Sequence, residues 1–121
     1  MASKILFAGC FALYLIAANS STAAASMTYD GSWNLNFVTQ RGACDRTYDF
    51  TVQVTNGVVS HPMLVRFTGR VASNGKVRAS VAAGNKYAAG TGRLTGASGR
   101  GTWAGYSGSD RCSGYWVAAR A

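Results

Sequence analysis

Apolar and polar residues alternate along the chain from Ser32 onward. In the first run, Trp33, Leu35 and Phe37 fall on one face, and the two asparagines between them fall on the other. A period of two is typical of a strand with one buried face. Short runs of this kind recur at roughly 10–12-residue spacing, which predicts about eight strands. The later runs lie at residues 48–55, 58–59, 65–71, 76–83, 87–94, around Trp103, and at 112–120.

Turn signals separate these runs. Asn56-Gly57 supplies the two positive-φ residues that a type I′ hairpin turn needs. Asn74-Gly75 predicts a second hairpin turn. Pro62 limits the third strand, because proline cannot donate to a β-ladder. Further turns are expected at residues 84–85, 96–99 and 108–110.

The predicted fold class is all-β. No convincing helical pattern follows the N-terminal segment, and such short connections favour sequential hairpins. We therefore expect a small antiparallel up-and-down barrel of about eight strands, since closure removes the exposed edges. A two-sheet β-sandwich is the alternative. One face of most strands carries Arg, Lys, Thr, Asn or Asp, which favours a soluble barrel over one that spans an outer membrane.

The first 25 residues have the composition of a secretory signal peptide. A short basic segment at 1–4 precedes an apolar run at 5–18, and small residues follow as far as Ala25. This pattern predicts cleavage after Ala25, a single all-β domain at 26–121 and a periplasmic or secreted location, with no membrane span left in the mature chain. One alternative is an uncleaved anchor, for which the apolar run is too short. The other is lipidation of Cys10, whose preceding apolar core is also too short.

Cys44 and Cys112 are the two cysteines outside that segment. Two thiols in an oxidising compartment predict one disulfide. In a barrel whose first and last strands pair, the two positions would lie close together. No C-x-x-C pair and no second histidine accompanies them. We therefore expect neither a metal site nor a bound cofactor.

Basic residues dominate the predicted domain. The chain carries a formal net charge of +8, and +7 remains once Lys4 leaves with the signal peptide. No Asp or Glu lies between Asp49 and Asp110. The alternation places basic side chains on the outer face of neighbouring strands, which predicts a stripe that binds polyanions in a salt-dependent way. The residues predicted to bind an anion or a partner are Arg66, Arg70, Lys76, Arg78, Arg93 and Arg100. An ordinary solvated sheet face is the alternative.

Candidate catalytic chemistry is sparse. His61 is the single histidine, and the only carboxylate side chains are four aspartates. No hydrolase, metalloprotease or nucleotide-binding motif appears. We therefore expect no catalytic residues and no enzyme activity. The aromatic residues of the inner face are expected to fill the barrel, or to leave room for one small apolar ligand or haem.

The block GTGRLTGASGRGTWAG…CSGYWVAAR, with the earlier CDRTYDFTVQVTNG, resembles a group of small exported proteins of alphaproteobacteria. The resemblance covers nearly all of residues 26–121. It implies export and a single domain, and it implies no mechanism. The predicted architecture is also remotely similar to that of small bacterial β-barrel inhibitors of lysozymes or proteases.

These features predict an exported, monomeric, non-enzymatic binding module. Its expected partner is an acidic polymer or an acidic protein surface of the cell envelope. Recognition of a specific nucleic acid is not expected, because no nucleic-acid-binding motif is present. The alternatives are a carrier for a small apolar ligand or haem in the barrel interior, and an inhibitor of a secreted hydrolase.

Overall fold

The computed structural model describes residues 28–63 and 66–121. The predicted signal peptide and Cys10 lie outside the described residues. No helix in the described part of the chain is long and apolar enough to cross a membrane. The strands are β1 (Gly31–Arg41), β2 (Thr47–Thr55), β3 (Val58–Ser60), β4 (Phe67–Val71), β5 (Lys76–Ala83), β6 (Lys86–Thr95), β7 (Ser98–Ser107) and β8 (Asp110–Arg120).

The eight strands form one closed barrel in which each strand pairs with the next in sequence order. The last strand, β8, also pairs antiparallel with β1, from Trp33 opposite Arg120 to Arg41 opposite Ser113. Closure leaves no free sheet edge. The predicted up-and-down barrel is thus confirmed, and the two-sheet sandwich is excluded. Trp33 and Val52 lie opposite each other in β1 and β2 and are both buried, as the period of two predicts.

The turns follow the sequence signals in part. Asn56 has a φ of 52° and Gly57 a φ of 76°, as a type I′ turn requires. The carboxylate of Asp30 accepts hydrogen bonds from both backbone N–H groups of this turn, at 2.8 and 3.3 Å. At Asn74-Gly75, only the glycine has a positive φ. That connection spans residues 72–75, so a longer loop than a two-residue turn joins β4 to β5.

The fourth strand is shorter than its alternating pattern predicts. It begins at Phe67, so Arg66 lies in the turn before it and does not share the strand with Arg70. The predicted first residue, Val65, lies outside the described residues. The neighbouring β3 pairs with β4 only through Val58 and Val59. Because this ladder has only two residue pairs, β4 makes few backbone hydrogen bonds to β3. This explains why β4 begins at Phe67 and not earlier.

Three buried tryptophans fill the interior: Trp33, Trp103 and Trp116. Each indole N–H donates a hydrogen bond to a backbone carbonyl, at 2.8 to 3.2 Å. A buried indole needs such a partner, because an unsatisfied polar group inside a protein is costly. The tryptophans therefore fill the core without leaving a buried donor unpaired.

Trp116 lies across the β6–β7 pair at a point where neither strand has a side chain. A Cβ atom added at Gly92 would lie 2.4 Å from Cζ2 of Trp116, and one added at Gly101 would lie 2.6 Å from its Cε2. The two glycines face each other in the ladder. Together they form the gap that the indole ring occupies.

Residues 28–30 cover one end of the barrel, and Arg120 holds them there. Its guanidinium group donates hydrogen bonds to the carbonyl of Asp30 at 2.7 Å and to that of Thr28 at 3.1 Å. The same group lies 4.6 Å from the ring centroid of Trp33, which adds a cation–π contact. The last strand is therefore fixed to the segment that precedes the first.

Cys44 and Cys112 form the predicted disulfide. Cys44 lies in the β1–β2 loop and Cys112 on β8. The loop approaches β8 closely at Gly42, where φ is 93° and a Cβ atom would lie 2.1 Å from the carbonyl oxygen of Arg111. The bridge thus joins this loop to the strand that closes the barrel.

Candidate anion-binding face

The outer side of the β6–β7 hairpin carries the same residue types on both strands. A two-residue turn at 96–97 joins the strands and sets their register. We call eight of the outward residues of this hairpin the hairpin face. They form four pairs that lie opposite each other: Tyr87 and Tyr106, Ala89 and Ala104, Thr91 and Thr102, and Arg93 and Arg100. An aromatic pair therefore stands at one end of the hairpin face and a guanidinium pair at the other.

Rows of basic residues cross the sheet at the guanidinium end. Lys76 of β5 lies opposite Arg93, which in turn lies opposite Arg100. Two residues along β5, Arg78 lies opposite Arg70 of β4. Residues in such positions have Cβ atoms about 4.5–5.5 Å apart, so each row holds like charges at short range. We call these five residues the basic face.

The basic face has no counterion in the described part of the chain. All five residues are exposed. Within residues 28–63 and 66–121, none of their side chains takes part in an ion pair or a hydrogen bond. The two aspartates that flank these residues in sequence lie elsewhere: Asp110 lies at the start of β8 opposite Ser107, and Asp49 accepts a hydrogen bond from Asn36 of β1 at 2.6 Å. The positive charge is therefore open to a partner from outside.

Five of the six residues predicted to bind an anion come together in this way, and Arg66 stands apart. Arg66 is exposed in the turn before β4. Its backbone carbonyl accepts a hydrogen bond from Ala82 at 3.2 Å, near the far end of β5. Arg66 thus lies at the opposite end of β5 from Lys76.

A shallow open groove runs over the outer side of β3 to β7, next to the basic face. Arg70, Arg78 and Tyr87 are the large polar side chains along it. The remaining outward side chains are small: Val58, Ser60, Thr68, Ser80, Ala89, Thr91, Thr102 and Ala104. The groove therefore presents small side chains and hydroxyl groups beside two guanidinium groups.

The tyrosine pair was not selected in the sequence analysis. The rings of Tyr87 and Tyr106 are stacked, with centroids 5.7 Å apart and an interplanar angle of 29°, and they are 38% and 45% exposed. A third outward tyrosine, Tyr115 of β8, lies opposite Thr102. The signal that could have found the pair is the mirrored order of YAAGTGR and RGTWAGY about the turn. In a two-residue hairpin this symmetry places the tyrosines face to face.

Comparisons with known proteins add no relative. No protein-family model matches the chain, and no match is found among the curated proteins or the solved structures. The resemblance to exported alphaproteobacterial proteins stays a prediction.

His61 lies at the end of β3 and packs between aromatic rings. Its ring centroid is 6.0 Å from that of Phe50 and 6.4 Å from that of Phe67. Its Nδ1 accepts a hydrogen bond from the backbone N–H of Met63 at 3.0 Å. In the described residues, no group of three or more His, Cys, Asp or Glu side chains is placed to hold a metal ion. His61 therefore acts as a packing side chain between two phenylalanine rings.

The voids of the barrel are small. The interior holds a cavity of about 60 Å³. A second void of about 260 Å³ opens at the end of the barrel near Cys44, where Phe37, Phe50 and Trp103 line it. Pockets for drug-sized ligands usually span about 300–1,000 Å³. The interior is thus too small for haem, and the void at the end suits only a short apolar group.

Proposed function

We propose that the protein is a non-enzymatic binding module that holds an acidic polymer or an acidic surface on the basic face. The register carries the proposal: Arg70 lies opposite Arg78, and Lys76, Arg93 and Arg100 follow one another across the sheet. Like charges directly opposite each other destabilise a sheet, on the scale of roughly 0.2–1 kcal/mol per pair. An anionic partner lying across these rows would remove that cost.

Solubility alone is a weaker explanation for the same residues. A soluble surface needs charged residues of both signs, interspersed. Here one sign is concentrated, because no Asp or Glu lies between Asp49 and Asp110. A surface of a single sign attracts oppositely charged polymers and speeds their association.

Dextran sulfate is a suitable first probe, with uncharged dextran as the matched polymer. We expect the full chain, as the cells process it, to bind dextran sulfate at low salt and to show no binding to dextran. Affinity should fall steeply as salt rises, since each contact with a polyanion releases condensed counterions. Fluorescence anisotropy with labelled polymers measures both effects. Equal binding to the two polymers would contradict the proposal.

Replacing Arg93 and Arg100 together by Ser is expected to raise the Kd for dextran sulfate by about tenfold, which corresponds to roughly 1.4 kcal/mol. The same variant should unfold at the same temperature as the wild type or a higher one, because it removes a like-charge pair. Anisotropy titrations and thermal unfolding check the two expectations.

The matched control replaces Arg41 and Arg46 by Ser. This removes the same charge from the end of β1 and the loop after it. We expect the Kd to change less than about twofold, since charges farther apart than about 10 Å are largely screened at 0.1 M salt. Equal losses in both variants would show that net charge alone drives binding, and unchanged affinity in the face variant would exclude the basic face.

Export is part of the same proposal. Residues 1–25 would direct the chain out of the cytoplasm and be removed, which gives a periplasmic or secreted protein. The disulfide supports this, because structural disulfides persist in oxidising compartments. We expect N-terminal sequencing of the protein from the cell envelope to begin at Ser26. A first residue of Met1, or a lipid on Cys10, would contradict this expectation.

A further inference from the structure

We propose that the acidic partner is a polysaccharide that carries carboxylate groups, and that it lies along the hairpin face with a sugar ring against Tyr87 and Tyr106. This inference rests on the proposed function, since it names the polymer that the basic face would hold. It adds the tyrosine pair, which charge alone does not explain.

The hairpin face has the length and the small central side chains that a bound polymer chain needs. Tyr87 and Arg93 are six positions apart along β6, which is about 20 Å at 3.4 Å per residue. Between these ends, both strands carry only alanine and threonine on the outside. A linear polymer can therefore touch the aromatic pair and the guanidinium pair at once, without a bulky side chain in its path.

The two sides of the hairpin face differ in chemistry. On the β5 side, Lys76 lies opposite Arg93 and Arg78 lies opposite Thr91. On the β8 side, Tyr115 lies opposite Thr102 and Val117 lies opposite Arg100, and both are at least 40% exposed. The exposed Arg111 of β8 lies opposite Tyr106, at the aromatic end. A chain of acidic sugars suits this arrangement. From the threonines to the guanidinium pair, its carboxylates would turn toward β5 and its C–H surfaces toward β8, while its hydroxyls would bond to the threonines. At the aromatic end, Arg111 would offer a carboxylate contact on the β8 side.

The tyrosine pair favours a sugar over a nucleic-acid base. Single-stranded nucleic acids bind where successive bases stack on aromatic side chains. Tyr87 and Tyr106 stack on each other at one end of the hairpin face, and only alanine and threonine lie between them and the arginines, so successive bases would find no further aromatic ring along the hairpin. They offer one joint apolar surface, and a sugar ring packs its C–H bonds on the electron-rich face of an aromatic ring.

A folded acidic protein fits the same surface less well. Stable protein interfaces bury large aromatic or arginine anchors near their centre, and the rim is polar. The centre of the hairpin face holds Ala89, Ala104, Thr91 and Thr102, and the large side chains stand at the ends and edges. Such a surface supports an extended chain along its length more readily than a compact partner.

Polygalacturonate and poly-L-glutamate, matched in length, separate sugar recognition from charge. Both are polymers of carboxylates, and only the first has sugar rings. We expect the full chain, as processed by the cells, to bind polygalacturonate about tenfold more tightly than polyglutamate at the same salt concentration. Equal affinity for the two polymers would overturn the sugar assignment while the proposed function stands. Binding to neither of them but to dextran sulfate would also overturn the sugar assignment alone, whereas binding to none of the three polymers would overturn both.

Variants of the two tyrosines test whether the tyrosine pair causes the preference for polygalacturonate. Replacing Tyr87 and Tyr106 by Ser should abolish the preference for polygalacturonate, because it should weaken the binding of that polymer alone. Arg93→Ser with Arg100→Ser should weaken the binding of both polymers. Tyr87→Phe with Tyr106→Phe keeps the aromatic rings and should keep the preference for polygalacturonate. Loss of the preference in this variant would contradict the packing of a sugar ring on the aromatic rings. If the serine variant fails to fold, Tyr87→Leu with Tyr106→Leu replaces it. Tighter, tyrosine-dependent binding of oligo(dT) than of polygalacturonate would assign the face to nucleic acid and overturn the inference.

Discussion

Replacing Cys44 and Cys112 together by Ala is expected to lower the free energy of unfolding by about 4 kcal/mol. The two cysteines are separated by 68 positions, so the bridge closes a long loop and removes many conformations from the unfolded chain. Domains of this size have only about 5–15 kcal/mol of stability in total. Loss of the bridge should therefore leave a barrel that unfolds at much lower urea concentration.

Urea unfolding of the oxidised wild type and of the double variant measures this difference. The reduced wild type is the control, because it lacks the bridge but keeps both side chains. It should unfold close to the double variant. If the reduced protein matched the oxidised one and only the variant were weakened, the effect would come from packing of the buried Cys112 side chain and not from the cross-link.

The Gly101→Ala substitution is expected to cost about 3 kcal/mol of stability, the upper end of what overpacking usually costs. The new Cβ atom would lie 2.0 Å from the carbonyl oxygen of Thr91 and 2.6 Å from Cε2 of Trp116. Neither group can move aside easily, since the carbonyl belongs to the β6 backbone and the indole is buried. The strand or the ring must shift.

Gly90→Ala is the matched substitution nearby. There the closest atom to an added Cβ is the carbonyl oxygen of Thr102, at 3.1 Å. We expect this variant to lie within about 1 kcal/mol of the wild type, because alanine also reduces the freedom of the unfolded chain. Urea unfolding gives both values, and tryptophan fluorescence reports movement of the indole. A Gly101→Ala protein as stable as Gly90→Ala would show that Trp116 does not occupy the gap between the strands.

Much of the fold could be predicted because local patterns determine it. The alternation at Trp33, Leu35 and Phe37 identified the inner face of β1, and Asn56-Gly57 identified the first hairpin turn. The start of β4 could not be found in this way. It depends on how much of β3 is available for pairing, which is a property of the assembled sheet and not of residues 65–71.

The candidate site was predictable only in part for a related reason. Alternation places Arg93 and Arg100 on outer faces, but their position opposite each other depends on the register of β6 and β7. This row continues to Lys76 on one side and Val117 on the other only because two further strands, β5 and β8, pair in a particular register. The tyrosine pair escaped notice because exposed tyrosines carry no signal until their partners across the ladder are known.

The pairing of β1 with β8 also governs the order in which the molecule can assemble. A ribosome releases the chain from its N-terminus, so β1 emerges long before the strand that completes it. Until Arg120 can reach Trp33 and the carbonyls of residues 28 and 30, one edge of β1 stays unpaired and able to join other chains. Contacts between the two ends of a sequence also form slowly. We therefore expect the nascent protein to be prone to aggregation until β8 is available to pair with β1.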